Sequence, residues 1–251
     1  MDFPITIPLG QTTLPLHSVL EPAAFFIGFR YFLYLRRRQG DVVSPGSRIY
    51  ILIGAIFGAL IGAHLVGSLE RPYELGWTDN LPAYIYGNKS VLGGFLGGLL
   101  GVEGVKKLIG ETRASGDLFV YPMILALMIG RVGCFSMGVF EETYGLPTRL
   151  PWGMYLGDLY PRHPVMLYEI GFLALLWAGL HRLQRRFTWE AGARFKLFLI
   201  AYITFRFFVE FLKPRYPVLL GLSTIQWTAV LGWLYYIRYL IQPKKLLAAY
   251  A

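Results

Sequence analysis

One cysteine, Cys134, stands in a chain of 251 residues, which excludes an internal disulfide framework and a cysteine-rich metal site. Acidic residues are scarce as well, 15 Asp and Glu against 24 Lys and Arg, leaving a formal net charge of +9. That excess is broken into short clusters between apolar runs and lines no continuous polar face, so nucleic acid is not the expected partner. Charged residues of both signs reach only 16% of the chain while hydrophobic ones reach 55%. A soluble domain of this length does not carry such a balance, and the natural solvent is a bilayer. The first residues, MDFPITIPLGQTTLPLH, lack a basic region ahead of an apolar one, so no cleavable signal peptide is expected and the first span directs insertion.

What is present in quantity is apolar sequence in lengths that suit a membrane. Crossing a hydrocarbon core about 30 Å thick takes about 20 mostly apolar residues. Seven stretches fit or nearly fit, near 19–36, 49–69, 90–109, 118–140, 165–184, 195–212 and 218–241. The expectation is an all-α integral membrane protein of about seven transmembrane helices, one polytopic domain over 1–251. Fifteen basic residues fall in the connections on one side, among them Arg36, Arg37, Arg38, Lys106, Lys107, Arg185 and Arg186, and six fall on the other. The positive-inside rule then places the N-terminus outside and the C-terminus in the cytoplasm.

Glycines recur at four-residue spacing in the second and third stretches, at Gly54, Gly58 and Gly62 and at Gly93, Gly97 and Gly101. Small residues at that interval let two helix backbones approach closely in lipid. A second use of Gly93 and Gly94 is as room for an acyl chain or headgroup against bare backbone. The connection over 141–164, between the fourth and fifth helices on the outer side, is far longer than most. Its Pro, Gly, Trp and Tyr content suits an interfacial lid; the alternative is a mobile exposed loop.

Ionisable groups inside a span cost roughly 2.5–3.5 kcal/mol each on insertion scales, so they are paired or functional by default. Here they are Glu21 and Arg30, Glu103, Arg131, Glu169, and Arg206 with Glu210. Tyr202, Arg206 and Glu210 share one helix face, which reads either as an internal ion pair or as part of a site. Arg131 lies between Gly130 and Gly133, which clear space for a bulky group beside a planar fork suited to phosphate. Two such arginines without an equal supply of nearby acids make a site for an anionic phospholipid headgroup. His163 is a candidate acid or base. His17 and His64 are read as structural, and Cys134 as a small buried hydrophobe in place of a nucleophile.

Four blocks in order, GGFLGGLLG (93–101), GRVGCFSMG continuing to ETYGLPTRLPWG (130–138 and 142–153), RHPVMLYE (162–169) and YITFRFFVEFLK (202–213), resemble the prolipoprotein diacylglyceryl transferase family. The resemblance implies transfer of a diacylglyceryl group from phosphatidylglycerol to the cysteine of a signal-peptide-bearing acceptor at the outer face of the bacterial inner membrane, without metal or soluble cofactor. It implies that Arg131 and Arg206 hold the phosphate and that His163, Glu142 or Glu210 serves as base. Tyr202, Gly145, Gly93, Gly94, Arg162, Tyr168 and Glu169 are implied in substrate binding. Three departures stand out: Leu92 where the family commonly has a histidine, Cys134 where it has asparagine, and Glu21 roughly where it has tyrosine. Leu92 also supports an alternative, a catalytically silent paralogue that binds or moves phospholipid.

Overall fold

The computed structural model describes residues 3–248. Within them the elements run β1 (Thr6–Leu9), β2 (Thr12–Pro15), α1 (Leu16–Gln39), α2 (Pro45–Ser68), α3 (Pro72–Leu75), α4 (Leu81–Gly87), α5 (Val91–Ile109), α6 (Val120–Met137), β3 (Met154–Tyr155), β4 (Pro161–Arg162), α7 (Val165–Arg186), α8 (Ala193–Val209), β5 (Pro217–Leu219), β6 (Leu222–Ser223), α9 (Thr224–Tyr235) and α10 (Ile237–Ile241). The described residues are mostly helical, and the strands among them form three two-stranded antiparallel hairpins. Six of the seven apolar stretches fall on a helix, and among the described residues three helices are long and apolar enough to cross a membrane: Pro45–Ser68, Asp117–Phe140 and Val165–Arg186, with mean hydropathies of 2.3, 1.9 and 1.2.

Two compact units are interleaved along the chain. The first comprises Met1–Gly40, Gly116–Phe187 and Phe211–Pro214, and the second Asp41–Ser115, Thr188–Glu210 and Arg215–Ala251.

In the first unit α1, α6 and α7 pack side by side. Phe32 stacks on Phe119 at 4.1 Å between ring centroids, while Gly28 lies against Pro122 and Ala126 and His17 against Gly133, so α1 and α6 run antiparallel. Tyr121 donates from its hydroxyl to Gln184 at 3.2 Å and Arg131 meets Glu169, which makes α7 antiparallel to α6 as well. The C-terminal turns of α1 and α7 therefore share one pole, and they carry Arg36, Arg37 and Arg38 and Arg185 and Arg186. Cations there also oppose the negative end of the helix dipole. The residues of chemical interest gather at the other pole.

In the second unit α2 and α5 are pressed together along their glycines. A Cβ on Gly58 would lie 2.3 Å from the Gly97 carbonyl oxygen, one on Gly62 2.3 Å from that of Gly93, and one on Gly101 2.1 Å from that of Gly54. No side chain fits at those distances, so backbone packs directly on backbone. The face of α2 turned away from α5 carries Ile53, Ile56, Phe57, Leu60 and Ile61, all exposed. Only 6% of the most apolar window of α2 is buried within the protein. Small residues inward and large apolar ones outward is the arrangement of a helix whose solvent is lipid.

One stretch departs from the sequence reading. The run at 218–241 is not one helix. Its first apolar residues form the β5–β6 hairpin, whose turn holds Leu220 and Gly221 at φ 51° and 72°. The helix begins only after Ser223, which forms a reciprocal capping box with Gln226, and it is interrupted at Tyr236. The connection between α2 and α5 contains α3 and α4, both too short to span.

Beyond the αL cap of α5 at Gly110, Glu111 turns back on Arg113. One carboxylate oxygen accepts from the Arg113 backbone N–H at 3.0 Å and from Nε at 2.8 Å, and the other accepts from Nη2 at 2.6 Å. These bonds hold the Glu111 pKa at about 2 against an ordinary 4.5. A depressed carboxylate pKa gives stability that is complete above pH 4.5 and lost as pH falls toward 2. Arg113→Ala is expected to return the Glu111 titration toward 4.5, read by carbon-13 shifts of labelled glutamate in detergent.

Candidate functional site

Arg131 comes from the last turns of α6 and Glu169 from the first turns of α7, and the antiparallel packing brings them together. Arg131 Nε lies 2.9 Å from Glu169 Oε1, and both side chains are buried. Arg131 Nη1 also donates toward Cys134 Sγ at 3.6 Å. The expectation that the buried arginines outnumber nearby acids is corrected here: Glu169 reaches Arg131 across two helices, and in the second unit Glu210 reaches Arg206 with Oε2 at 3.7 Å from Nη2. A guanidinium held by one carboxylate is fixed in position, which costs part of its charge and gains orientation.

The connection over 141–164 begins just beyond the end of α6. Gly138, at φ 59°, lets the chain turn so tightly that a Cβ there would lie 2.1 Å from the Leu156 carbonyl oxygen. Backbone hydrogen bonds tie residues 141–164 to one another and to their surroundings. Val139 N–H donates to Leu156, Thr148 to Pro161, His163 to Leu146, and Leu146 to Leu212 of the first unit's last segment. Gly145 lies so close to His163 that a Cβ would meet its carbonyl oxygen at 2.3 Å. Arg162 is a clamp in this arrangement. It donates to Asp158 at 2.6 and 2.9 Å and to the Gly145 carbonyl at 3.1 Å, and its guanidinium lies 4.9 Å over the Tyr144 ring. The Arg162 hydrogen bonds hold the Asp158 carboxyl below its usual pKa.

His163 Nδ1 lies 3.2 Å from the Tyr168 hydroxyl, which in turn accepts from Trp152 Nε1 at 2.8 Å. Tyr168 thus ties the 141–164 connection to α7. Tyr168→Phe deletes one hydroxyl from two contacts and is expected to cost about 1 kcal/mol. The loss should appear as faster proteolysis of 141–164 with the far-ultraviolet circular dichroism unchanged. Glu142 is exposed in the same connection.

The remaining predicted residues belong to the second unit. Tyr202 is fully buried in α8, with its ring edge-on to Phe95 at 5.1 Å. Arg206 and Glu210 follow on the same face, both buried. Gly93 is not open to a ligand, because the α2 backbone fills the space where its side chain would stand. Gly94 faces Ala63 at ordinary contact distance. Gly133 does clear space beside Arg131, and what occupies that space is His17, whose Nδ1 would lie 3.1 Å from a Cβ at 133. His17 and Glu141, which meet at 3.3 Å, carried no weight in the sequence reading. The Gly133 signal points toward them, but the partner that fills a glycine gap is set by tertiary packing.

The sequence profile described as prolipoprotein diacylglyceryl transferase matches residues 4–242. The chain belongs to that family. Membership makes it a relative of diacylglyceryl transferase enzymes that are integral to the bacterial inner membrane. Among curated proteins it is 32% identical over 247 residues to the phosphatidylglycerol–prolipoprotein diacylglyceryl transferase of Nitratidesulfovibrio vulgaris, covering 90% of this chain and 88% of that one. The protein of the same description from Cupriavidus metallidurans is 32% identical over 246 residues, with 90% and 88% covered. That of Nitrosomonas europaea is 29% identical over 266 residues, with 96% and 92% covered. The match to the family takes in both units, so Arg131, Glu169, Arg206 and Glu210 all lie inside it.

Proposed function

We propose that this chain transfers the diacylglyceryl group of phosphatidylglycerol to the cysteine thiol of a prolipoprotein. The observation that carries the proposal is the buried Arg131–Glu169 pair at the lid-bearing pole of the first unit, within a chain matched to the family along most of its length. In this reaction the thiolate attacks the glyceryl carbon that bears the phosphate ester. The carbon–sulfur bond forms as the carbon–oxygen bond breaks, and the electron pair leaves on glycerol phosphate. Charge builds on the phosphate as the bond breaks, and Arg131, held by Glu169, is the donor assigned to it. The thiol proton goes to a base, for which His163, set by the Tyr168 hydroxyl, is the first candidate, with Glu142 and Glu210 the others. Arg206 and Tyr202 are proposed as functional residues of the second unit. The proposed setting is a chain of seven spans with its N-terminus and lid on the outer face. Arginines at the opposite pole of the first unit support that orientation.

The test is direct. Purified protein in phosphatidylglycerol vesicles, given a peptide with a lipoprotein signal cysteine, is expected to form a peptide carrying a thioether-linked diacylglyceryl group. Absence of product with every thiol acceptor would contradict the proposal. One observation favours a second reading, a phospholipid-binding protein without catalysis: Leu92 is fully buried and offers no polar group. In that case phosphatidylglycerol copurifies with the protein and stays intact in the same assay.

A further inference from the structure

His17, Cys134 and Glu141 converge at the lid-bearing pole of the first unit, and the reaction proposed above uses none of them. Their potential ligand atoms all lie within 4.8 Å of one another. His17 Nδ1 and Glu141 Oε2 are 3.3 Å apart, yet both atoms are buried without a hydrogen-bond partner. Two lone-pair-bearing atoms facing each other at that distance repel unless a proton or a cation stands between them.

We propose that these three side chains bind a divalent cation of the zinc class through His17 Nδ1, the Cys134 thiolate and a Glu141 carboxylate oxygen, with a fourth coordination position open. Glu21 supplies the orienting partner. Its Oε2 lies 3.6 Å from His17 Nε2, one helical turn along α1, where a carboxylate keeps the imidazole proton on Nε2 and presents the Nδ1 lone pair. One sulfur, one nitrogen and one oxygen suit a borderline metal and are a poor set for magnesium or calcium. Tetrahedral bonds of about 2.0–2.3 Å set ligand atoms about 3.5 Å apart, so the cluster closes on a metal with side-chain movements of roughly 1 Å. The charges also balance. Thiolate and carboxylate offset the cation, while Arg131, 3.6 Å from the sulfur, is itself paired with Glu169. Glycine at 133 admits the His17 ring to this position. Three protein ligands and an open position form the pattern of a reactive metal site.

Metal uptake is measured without turnover, so the result is independent of the transferase reading. Protein stripped with chelator in detergent is titrated with cobalt(II) and, separately, with zinc. Stoichiometric uptake is expected, with a thiolate-to-cobalt charge-transfer band in the near ultraviolet. Cys134→Ser is expected to lose that band, His17→Gln to lose stoichiometric uptake, and Glu21→Gln to weaken affinity by about 10–100-fold. His17→Gln serves as the decisive variant if Cys134→Ser does not stay monodisperse. No uptake by the wild type, a cobalt spectrum without the sulfur band, or unchanged affinity in His17→Gln would overturn the proposal and leave a His17–Glu141 ion pair only.

Discussion

Arg131→Ala is expected to lower diacylglyceryl transfer by about 10²–10³-fold, the effect of removing one donor aimed at charge that develops in the transition state. The same substitution leaves Glu169 buried beside an empty space, and breaking a buried pair costs about 3–5 kcal/mol of stability. Activity alone would therefore confound chemistry with folding. The double variant Arg131→Met, Glu169→Gln separates them. Removing both charges leaves no stranded carboxylate, so this protein is expected to melt closer to the wild type than Arg131→Ala does and to remain inactive. Arg131→Lys keeps the charge but loses the planar fork, and an intermediate rate is expected. Full activity in the double variant would remove Arg131 from the mechanism. Arg206→Ala, assayed in parallel, reports on the second unit's pair in the same way.

Gly97→Ala is expected to destabilise the second unit by about 1–3 kcal/mol, although alanine is the better helix former. The new methyl would stand 2.2 Å from the Gly58 carbonyl oxygen and 2.8 Å from the Gly62 Cα, both backbone atoms that cannot swing aside. The helices must separate along their whole contact. Gly94→Ala, three residues earlier on the same helix, places its methyl 3.6 Å from Ala63, and Gly104→Ala meets nothing within 4 Å. These two gain helix propensity without a clash and are expected to match or slightly exceed the wild-type melting temperature. Thermal denaturation in detergent, followed by monodispersity, reads all three. A Gly97→Ala protein as stable as Gly94→Ala would mean that α2 and α5 do not pack backbone to backbone.

The contrast between these glycines shows what the sequence makes legible. Four-residue spacing in two apolar runs announces that the helices touch, because the period of the helix is fixed before any tertiary structure exists. Which glycine meets the α2 backbone at close range and which meets Ala63 at ordinary contact distance depends on a rotation that spacing alone does not set. The arginines follow the same logic. Arg131 and Arg206 declare themselves by standing in apolar runs, and the Arg206–Glu210 pair is local enough to be read from one helix turn. Glu169 is not, because it meets Arg131 only once α7 folds back along α6. His17 precedes the first apolar run and Glu141 follows the fourth, so both look like ends of connections until the antiparallel helices bring those ends together. The late start of α9 was legible in principle. Ser223 and Gln226 spell a capping box, a sharper boundary signal than the continuous hydropathy of Val218, Leu219 and Leu220 that conceals the hairpin.

In the proposed reaction the bond broken lies between the glyceryl carbon and the phosphate ester oxygen, with the phosphate departing beside a fixed guanidinium. Phosphatidylglycerol deuterated in its headgroup glycerol tests this most directly, with mass spectrometry of both the peptide and the water-soluble products. Deuterated glycerol phosphate is expected in amounts equal to an unlabelled diacylglyceryl thioether on the peptide. Release of free deuterated glycerol, or of a fatty acid with an acylated peptide, would show that a different bond is cleaved and would contradict the account.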